Sequence, residues 1–248
     1  MPKIQIKLIN KTELSPQVYL LTFETESELV FTPGQFISVE IEPKINRPYS
    51  ISYLGKDIPY FEGDLQAKSS LSAGNYLTLM ISTKPGGAAS DFFEKIKPGV
   101  TLNAIGPTGR FALVQNNRPK VFVATGTGLA PFTAMTQEII EKDSNADISV
   151  FFGCWDLSGD FVHKFFIDLK SRAKNLKVYT VAENLEGISE SEFLKEGRVT
   201  KVIPETINNL NQADFYLCGH PAMVASMSDV LLKNKVLQSN IIMEKFGK

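Results

Sequence analysis

The sequence predicts two domains, an N-terminal antiparallel β-barrel followed by a C-terminal α/β domain built on a parallel sheet. Three observations point that way. The chain has 248 residues, enough for two ordinary cores. Its first half is a series of short β-prone segments separated by Pro and Gly turns, the spacing of an antiparallel barrel. From Val121 onward, strands and helices alternate, and the strands are nearly continuous apolar runs. Parallel strands covered on both faces read that way.

In the first half, Ile4–Ile9 and Gly34–Ile41 alternate apolar and polar residues, while Val18–Phe23 is β-branched or aromatic. Turns at Pro33-Gly34, Pro98-Gly99 and Gly106-Pro107 punctuate them. One helix fits, from Ser90 to about Ile96, with Ser90 as its N-cap and Asp91 favouring the dipole. A polar, proline-ended connector, Gln115 to Pro119, divides the chain into domains 1–115 and 116–248. Beyond it the expected strands are Val121–Ala124, Ile148–Gly153, Lys177–Val181 and Asp214–Cys218. The expected helices are Pro131–Lys142, about Asp160–Arg172, and Pro221–Asn234, with short elements at 190–196 and 200–203.

The bulk numbers exclude several classes. Twenty-six Lys and Arg against 27 Asp and Glu leave a net charge of −1, which offers no basic stripe for nucleic acid. Two cysteines far apart, Cys154 and Cys218, cannot hold a four-cysteine iron–sulfur cluster or a disulfide framework. Two histidines are too few for a zinc site, so no metal is expected. No apolar run approaches the roughly 20 residues a membrane helix needs. The start Met1-Pro-Lys-Ile has no signal-peptide character, so a cytoplasmic protein is expected.

Four stretches carry chemistry. Thr125-Gly126-Thr127-Gly128 links a buried strand to a helix opened by Pro131, the arrangement that binds phosphate at a helix N-terminus. A plain strand-to-helix turn would look the same. Arg47-Pro48-Tyr49-Ser50 offers a guanidinium for phosphate, a ring for stacking and a hydroxyl for a ring nitrogen. An ordinary barrel strand with a surface Arg and a core Tyr is the alternative. Gly86-Gly87-Ala88-Ala89-Ser90 runs two glycines into a helix, a second anion site or a simple hairpin-to-helix turn. Cys218-Gly219-His220-Pro221 ends a strand at the edge where ligands of parallel sheets bind. Cys154 reads as a small buried hydrophobe, His163 as a helix-face residue and His220 as an exposed loop residue.

Taken in order over the whole chain, these stretches resemble the ferredoxin–NADP reductase superfamily of flavoproteins. Arg47 to Ser50 is similar to its R-x-Y-S motif, Gly86 to Ser90 to its G-G-x-x-S motif, and Gly106-Pro-Thr-Gly-Arg-Phe111 to its G-P-x-G-x-F turn. Thr125 to Pro131 resembles its nicotinamide-nucleotide turn, Cys218 to Pro221 its C-G-x-P motif, and Glu244-Lys-Phe246 its E-x-F tail. The resemblance implies FAD on the barrel and NAD(P)H on the α/β domain. Arg47, Pro48, Tyr49 and Ser50 would then line the flavin, with Ser50 near its N5. Gly86, Gly87, Ala88 and Ser90 would hold its phosphates, which favours tightly bound FAD over free flavin. Thr125, Gly126, Thr127 and Gly128, with Cys218, Gly219 and Pro221, would hold the nicotinamide nucleotide. Ser50, Cys218 and Glu244 would be the catalytic residues, and Phe246 would cover the flavin face. A frayed tail with an incidental aromatic is the alternative for Glu244 and Phe246. The segment 54–74 departs from the family pattern, so the adenine contact of FAD is not read from it.

NADPH-specific relatives carry Ser-Arg where this chain has Ala182-Glu183, and many carry Arg where it has Trp155. A carboxylate at 183 repels a 2′-phosphate and accepts from a ribose diol, which favours NADH. Arg198, Lys195 and Lys201 lie near enough in sequence to supply the missing charge. The implied function passes a hydride from NAD(P)H to FAD, then electrons to a separate ferredoxin- or flavodoxin-type carrier. The alternatives are a reductase subunit of a larger oxygenase or dehydrogenase system, a free-flavin reductase, or a non-catalytic nucleotide-binding module.

Overall fold

The computed structural model describes residues 2–53 and 75–245, apart from the side chain of residue 168. Six antiparallel strands form the first unit: β1 (Lys3–Ser15), β2 (Val18–Thr25), β3 (Phe36–Glu42), β4 (Ile45–Tyr53), β5 (Tyr76–Ser82) and β6 (Thr101–Thr108). They close into a barrel in the order β1-β2-β5-β4-β3-β6. The long β1 follows the curvature through register shifts between Leu8 and Asn10 and between Glu13 and Ser15, where an extra residue bends the strand. Ile6, Leu8, Leu21, Phe23, Ile37, Val39 and Ile51 fill the interior.

β2 is buried on both faces, and the reason lies outside the barrel. Tyr19, Leu21 and Phe23 point into the barrel core, whereas Val18 and Leu20 join Leu14, Met80 and Phe111 in a second cluster. That cluster continues through Leu129, Phe132 and Met135 of the following domain. One barrel wall is therefore also an interdomain face, and the apolar run at 18–23 reflects two packing surfaces. Thr133 donates a hydrogen bond from the second domain to the Ser52 carbonyl of β4.

The second unit is a six-stranded parallel sheet: β7 (Lys120–Thr125), β8 (Ile148–Cys154), β9 (Leu176–Ala182), β10 (Leu194–Glu196), β11 (Asp214–Gly219) and β12 (Ile241–Lys245). Its order is β10-β9-β8-β7-β11-β12. Helices α2 (Ala130–Lys142) and α3 (Val162–Arg172) cover one face, and α4 (Val199–Thr206) and α5 (Pro221–Lys233) cover the other. The barrel-plus-parallel-sheet expectation is borne out.

One local expectation is corrected, and one alternative is set aside. The barrel helix α1 spans Ala88–Lys95 with Gly87 at its N-cap position, so Ser90 is not the cap. Gly86 and Gly87, at φ +73° and +85°, make the turn that starts the helix two residues early. The Ser90 hydroxyl donates back to the Gly86 carbonyl at 3.0 Å. The tail is not frayed through Lys245, because β12 pairs in parallel with β11 from Ile241 to Lys245. No described helix is long and apolar enough to cross a membrane.

The connector between the units is tied to the sheet by charge. Asp214, at the start of β11, accepts from Lys120 Nζ at 2.8 Å, Arg118 Nε at 2.9 Å and Asn116 Nδ2 at 2.9 Å. Both Asp214 and Lys120 are buried. Burial alone would raise the Asp214 carboxyl, yet these donors together hold it below its ordinary value.

Candidate functional site

On the barrel, β4 presents Arg47, Pro48, Tyr49 and Ser50 along one stretch. Arg47 and Pro48 are exposed, Tyr49 is half-buried and Ser50 is buried. The Arg47 guanidinium donates to the Asn46 carbonyl at 3.0 Å and otherwise faces solvent. The Tyr49 ring meets Phe93 of α1 edge-on at 5.3 Å, which places the aromatic beside the helix that begins at Gly87. Burial pushes the Tyr49 phenol up to about 12. Among the described residues, no side chain caps α1 and no atom lies within 4 Å of a Cβ built on Gly86 or Gly87. An uncapped helix start with open space before it suits a pyrophosphate, and the exposed Arg47 stands on the same strand as the Tyr49 that meets α1. With the adjacent tyrosine, this donor set fits a flavin dinucleotide.

On the sheet, Gly126–Leu129 forms a tight helical turn between β7 and α2, and Pro131 sits in the first turn of α2. Gly126 has φ +53° and open space at its Cβ position. Gly128 and Gly219 do the reverse and interlock. A Cβ on Gly128 would run into the Cys218 carbonyl, and one on Gly219 (φ +131°) would lie 2.6 Å from the Thr125 carbonyl. The His220 N–H donates to Thr125 Oγ1 at 3.1 Å. His220 is exposed as expected, but it also has a structural task. Its Nδ1 accepts from the Ala222 N–H at 3.2 Å and caps α5, whose first turn holds Pro221. Cys218 is fully buried, and burial holds its thiol well above the ordinary value.

The two halves meet. Ser50 Oγ donates to Glu244 Oε2 at 3.4 Å, a long hydrogen bond that crosses the domain boundary. Glu244 lies opposite Cys218 in the β11–β12 ladder. Burial raises the Glu244 carboxyl, against the smaller lowering effect of Ser50. The structure thus brings Ser50, Cys218 and Glu244 to one junction. Phe246 lies outside the described residues, as does the segment 54–74.

A cleft of about 410 Å³ opens beside the junction, at the carboxyl ends of β7, β8 and β9, and Thr125, Trp155, Glu183, Arg198, His220 and Met223 are among its lining residues. Arg198 Nε donates to Glu183 Oε2 at 2.9 Å, so the nearest cation is drawn to the carboxylate, although its side chain stays largely exposed. Lys195 and Lys201 do not line the cleft. The signal that reading the sequence lacked was the pairing of β9 with β10, which carries Gly197 and Arg198 back beside Glu183.

Comparison with known proteins agrees with this geometry. Residues 5–113 match the oxidoreductase FAD-binding domain and residues 122–229 the oxidoreductase NAD-binding domain. The chain is 28% identical over 247 residues to the toluate 1,2-dioxygenase electron transfer component of Pseudomonas putida, covering 98% of this chain and 67% of that one. It is 25% identical over 238 residues to ferredoxin–NADP reductase B of Sorangium cellulosum, covering 91% and 90%. A cytochrome P450 reductase from Amycolatopsis superposes with a TM-score of 0.83 at 19% identity, over 99% of this chain and 70% of that one. The chain spans about two thirds of the length of the dioxygenase electron-transfer components it matches. With its FAD-binding barrel and its NAD-binding sheet meeting at one junction, the chain belongs to the ferredoxin reductase superfamily of oxidoreductases.

Proposed function

We propose that the chain is an FAD-containing NAD(P)H reductase, with NADH favoured, that hands electrons to a separate ferredoxin- or flavodoxin-type carrier. The observation that carries the reading is the Ser50–Glu244 contact, since it joins the flavin-side strand to the nicotinamide-side sheet. When bound, the flavin supplies the chemistry, accepting a hydride from the nicotinamide and releasing electrons onward. The chain supplies alignment and exclusion of water. Arg47 and the open start of α1 (Gly86, Gly87, Ala88, with Ser90 bracing the turn) hold the flavin phosphates. Pro48 and Tyr49 bound its ring, and Ser50 offers a hydroxyl donor. Thr125 to Gly128 and the Gly219–Pro221 turn seat the second nucleotide. Buried Cys218 gives the nicotinamide a small, inert wall, because a thiol so hard to ionise is no nucleophile. Glu244, its carboxyl raised by burial, is the carboxylic acid at the junction.

The decisive experiment mixes the flavin-loaded protein anaerobically with NADH and separately with NADPH, and follows bleaching of the flavin. Rapid bleaching by NADH supports the reading, and faster bleaching by NADPH overturns the nucleotide preference. Glu183→Gln removes the carboxylate and frees Arg198. It is expected to raise the NADPH-to-NADH ratio of kcat/KM about tenfold, equivalent to ~1.4 kcal/mol of differential binding. An unaltered ratio would mean the 2′-position is read elsewhere. Ser50→Ala is expected to slow bleaching by NADH about tenfold with FAD still bound, near the upper worth of one hydrogen bond. An unchanged rate removes Ser50 from the site.

A second reading, in which the chain serves as the reductase part of a multicomponent oxygenase, draws support from its matches to dioxygenase electron-transfer components. The test is reduction of a candidate carrier: transfer to a range of small carriers favours the first reading, and transfer to one oxygenase alone favours the second. The chain has two cysteines, so neither reading places a four-cysteine cluster within it.

A further inference from the structure

We infer that Trp155 is the platform on which the adenine ring of the nicotinamide dinucleotide stacks. The inference rests on the proposed reading of the cleft as the NADH site and extends it to a residue outside the motifs.

Trp155 is the chain's sole tryptophan, and it stands 68% exposed at the mouth of the cleft. Indoles are large and apolar and are seldom left this uncovered on a structured segment. The backbone beneath it is held firmly. The Asn184 N–H donates to the Trp155 carbonyl at 2.9 Å, and the Glu183 N–H donates to the Cys154 carbonyl at 3.1 Å. The β8–β9 pairing thus continues past the strand ends and fixes Trp155 beside Glu183. On the other flank, Asp156 accepts from the Ser158 N–H at 3.0 Å and from its hydroxyl at 2.6 Å. The ring is exposed on a rigid mount.

Its neighbours complete an adenosine site. A purine requires a flat apolar face, which the indole offers. Met223 of α5 lines the same cleft, and a pliable thioether suits contact with an aromatic ring. The Glu183 carboxylate is an acceptor for a ribose diol, and its negative charge beside Arg198 disfavours a 2′-phosphate there. Together the three side chains read an adenosine whose 2′-hydroxyl is free.

The sole tryptophan makes the test direct. Flavin-loaded protein is titrated with ADP-ribose, which carries the adenosine and pyrophosphate but no nicotinamide, while indole emission is followed. Saturable quenching is expected, with none from ribose 5-phosphate, which lacks the purine. In a parallel arm, Trp155→Leu is expected to raise the dissociation constant of ADP-ribose and the KM for NADH about tenfold, the scale of one lost stacking contact. The kcat for flavin bleaching should be unchanged, and Trp155→Phe should recover most of the affinity. A position this exposed tolerates both substitutions without unfolding. If calorimetry detects ADP-ribose binding while indole emission and the Leu variant's KM stay unmoved, the purine lies elsewhere. That result overturns Trp155 and leaves the NADH reading intact. If ADP-ribose does not bind yet NADH still bleaches the flavin, the platform is likewise overturned. If NADH neither binds nor bleaches, the functional reading itself has failed.

Discussion

Asp214→Asn lowers the thermal unfolding midpoint by about 10 °C, the shift that a loss of several kcal/mol produces in a chain of this size. The substitution leaves Lys120, whose side chain is 6% exposed, as a buried cation without its counter-charge. Breaking a buried pair from one side costs about 3–5 kcal/mol, more than the pair itself contributes, because the orphaned charge stays desolvated. Arg118 loses its carboxylate as well, although it keeps bonds to the Asn211 and Ala213 carbonyls. The pH dependence has a definite sign. The folded Asp214 carboxyl lies below its unfolded value of about 3.9. Its contribution is therefore fully present above that value and is lost as pH falls through the folded ionisation. Calorimetric scans of both proteins across the acid range check this, since the wild type should lose its advantage over the variant as pH drops below about 4. Equal midpoints at neutral pH would mean the network is dispensable.

Gly219→Ala slows NADH-driven flavin bleaching by about 100-fold while the FAD content stays normal, the loss expected when reacting groups shift by about an ångström. The added methyl would sit 2.5 Å from Thr125 Oγ1 and 2.6 Å from the Thr125 carbonyl, and the backbone at φ +131° suits only glycine. Thr125 must move, and with it the Gly126–Gly128 turn and the His220 N–H bonded to Thr125 Oγ1. Gly128→Ala forces the same separation from the other side, through the Cys218 carbonyl. The flavin site, built on β4 and α1, touches neither glycine. Stopped-flow bleaching with a flavin assay on the same sample separates the two effects. A wild-type rate in Gly219→Ala would show that the β7–β11 interlock does not set the nicotinamide position.

Much of this was legible because the signals were local. Alternation in β1 and β3, continuous apolar runs in β7, β8 and β11, and glycines at strand ends each depend on a few neighbouring residues. What failed depended on partners far away in sequence. Ile241-Ile-Met-Glu-Lys has neither alternation nor length to mark it as a strand, and it becomes one only because β11 offers an open edge. Ser90 looked like a helix cap by residue type, but two glycines at positive φ had already turned the chain. His220 sits one residue before Pro221, where its ring nitrogen can cap α5 in the way Ser or Asp commonly does. The Glu183–Arg198 pair joins residues 15 apart through the return of β10 to β9. The motifs named the residues, and the topology decided what each one faces.

The doubly buried wall at β2 and β5 has an evolutionary corollary. Val18, Leu20 and Met80 would become a greasy outer stripe on any solitary barrel, inviting aggregation. Such halves cannot drift apart as freely recombining modules. A chimaera that swaps in a foreign sheet must import a matching inner surface along with it, so inheritance should favour the pair as one unit.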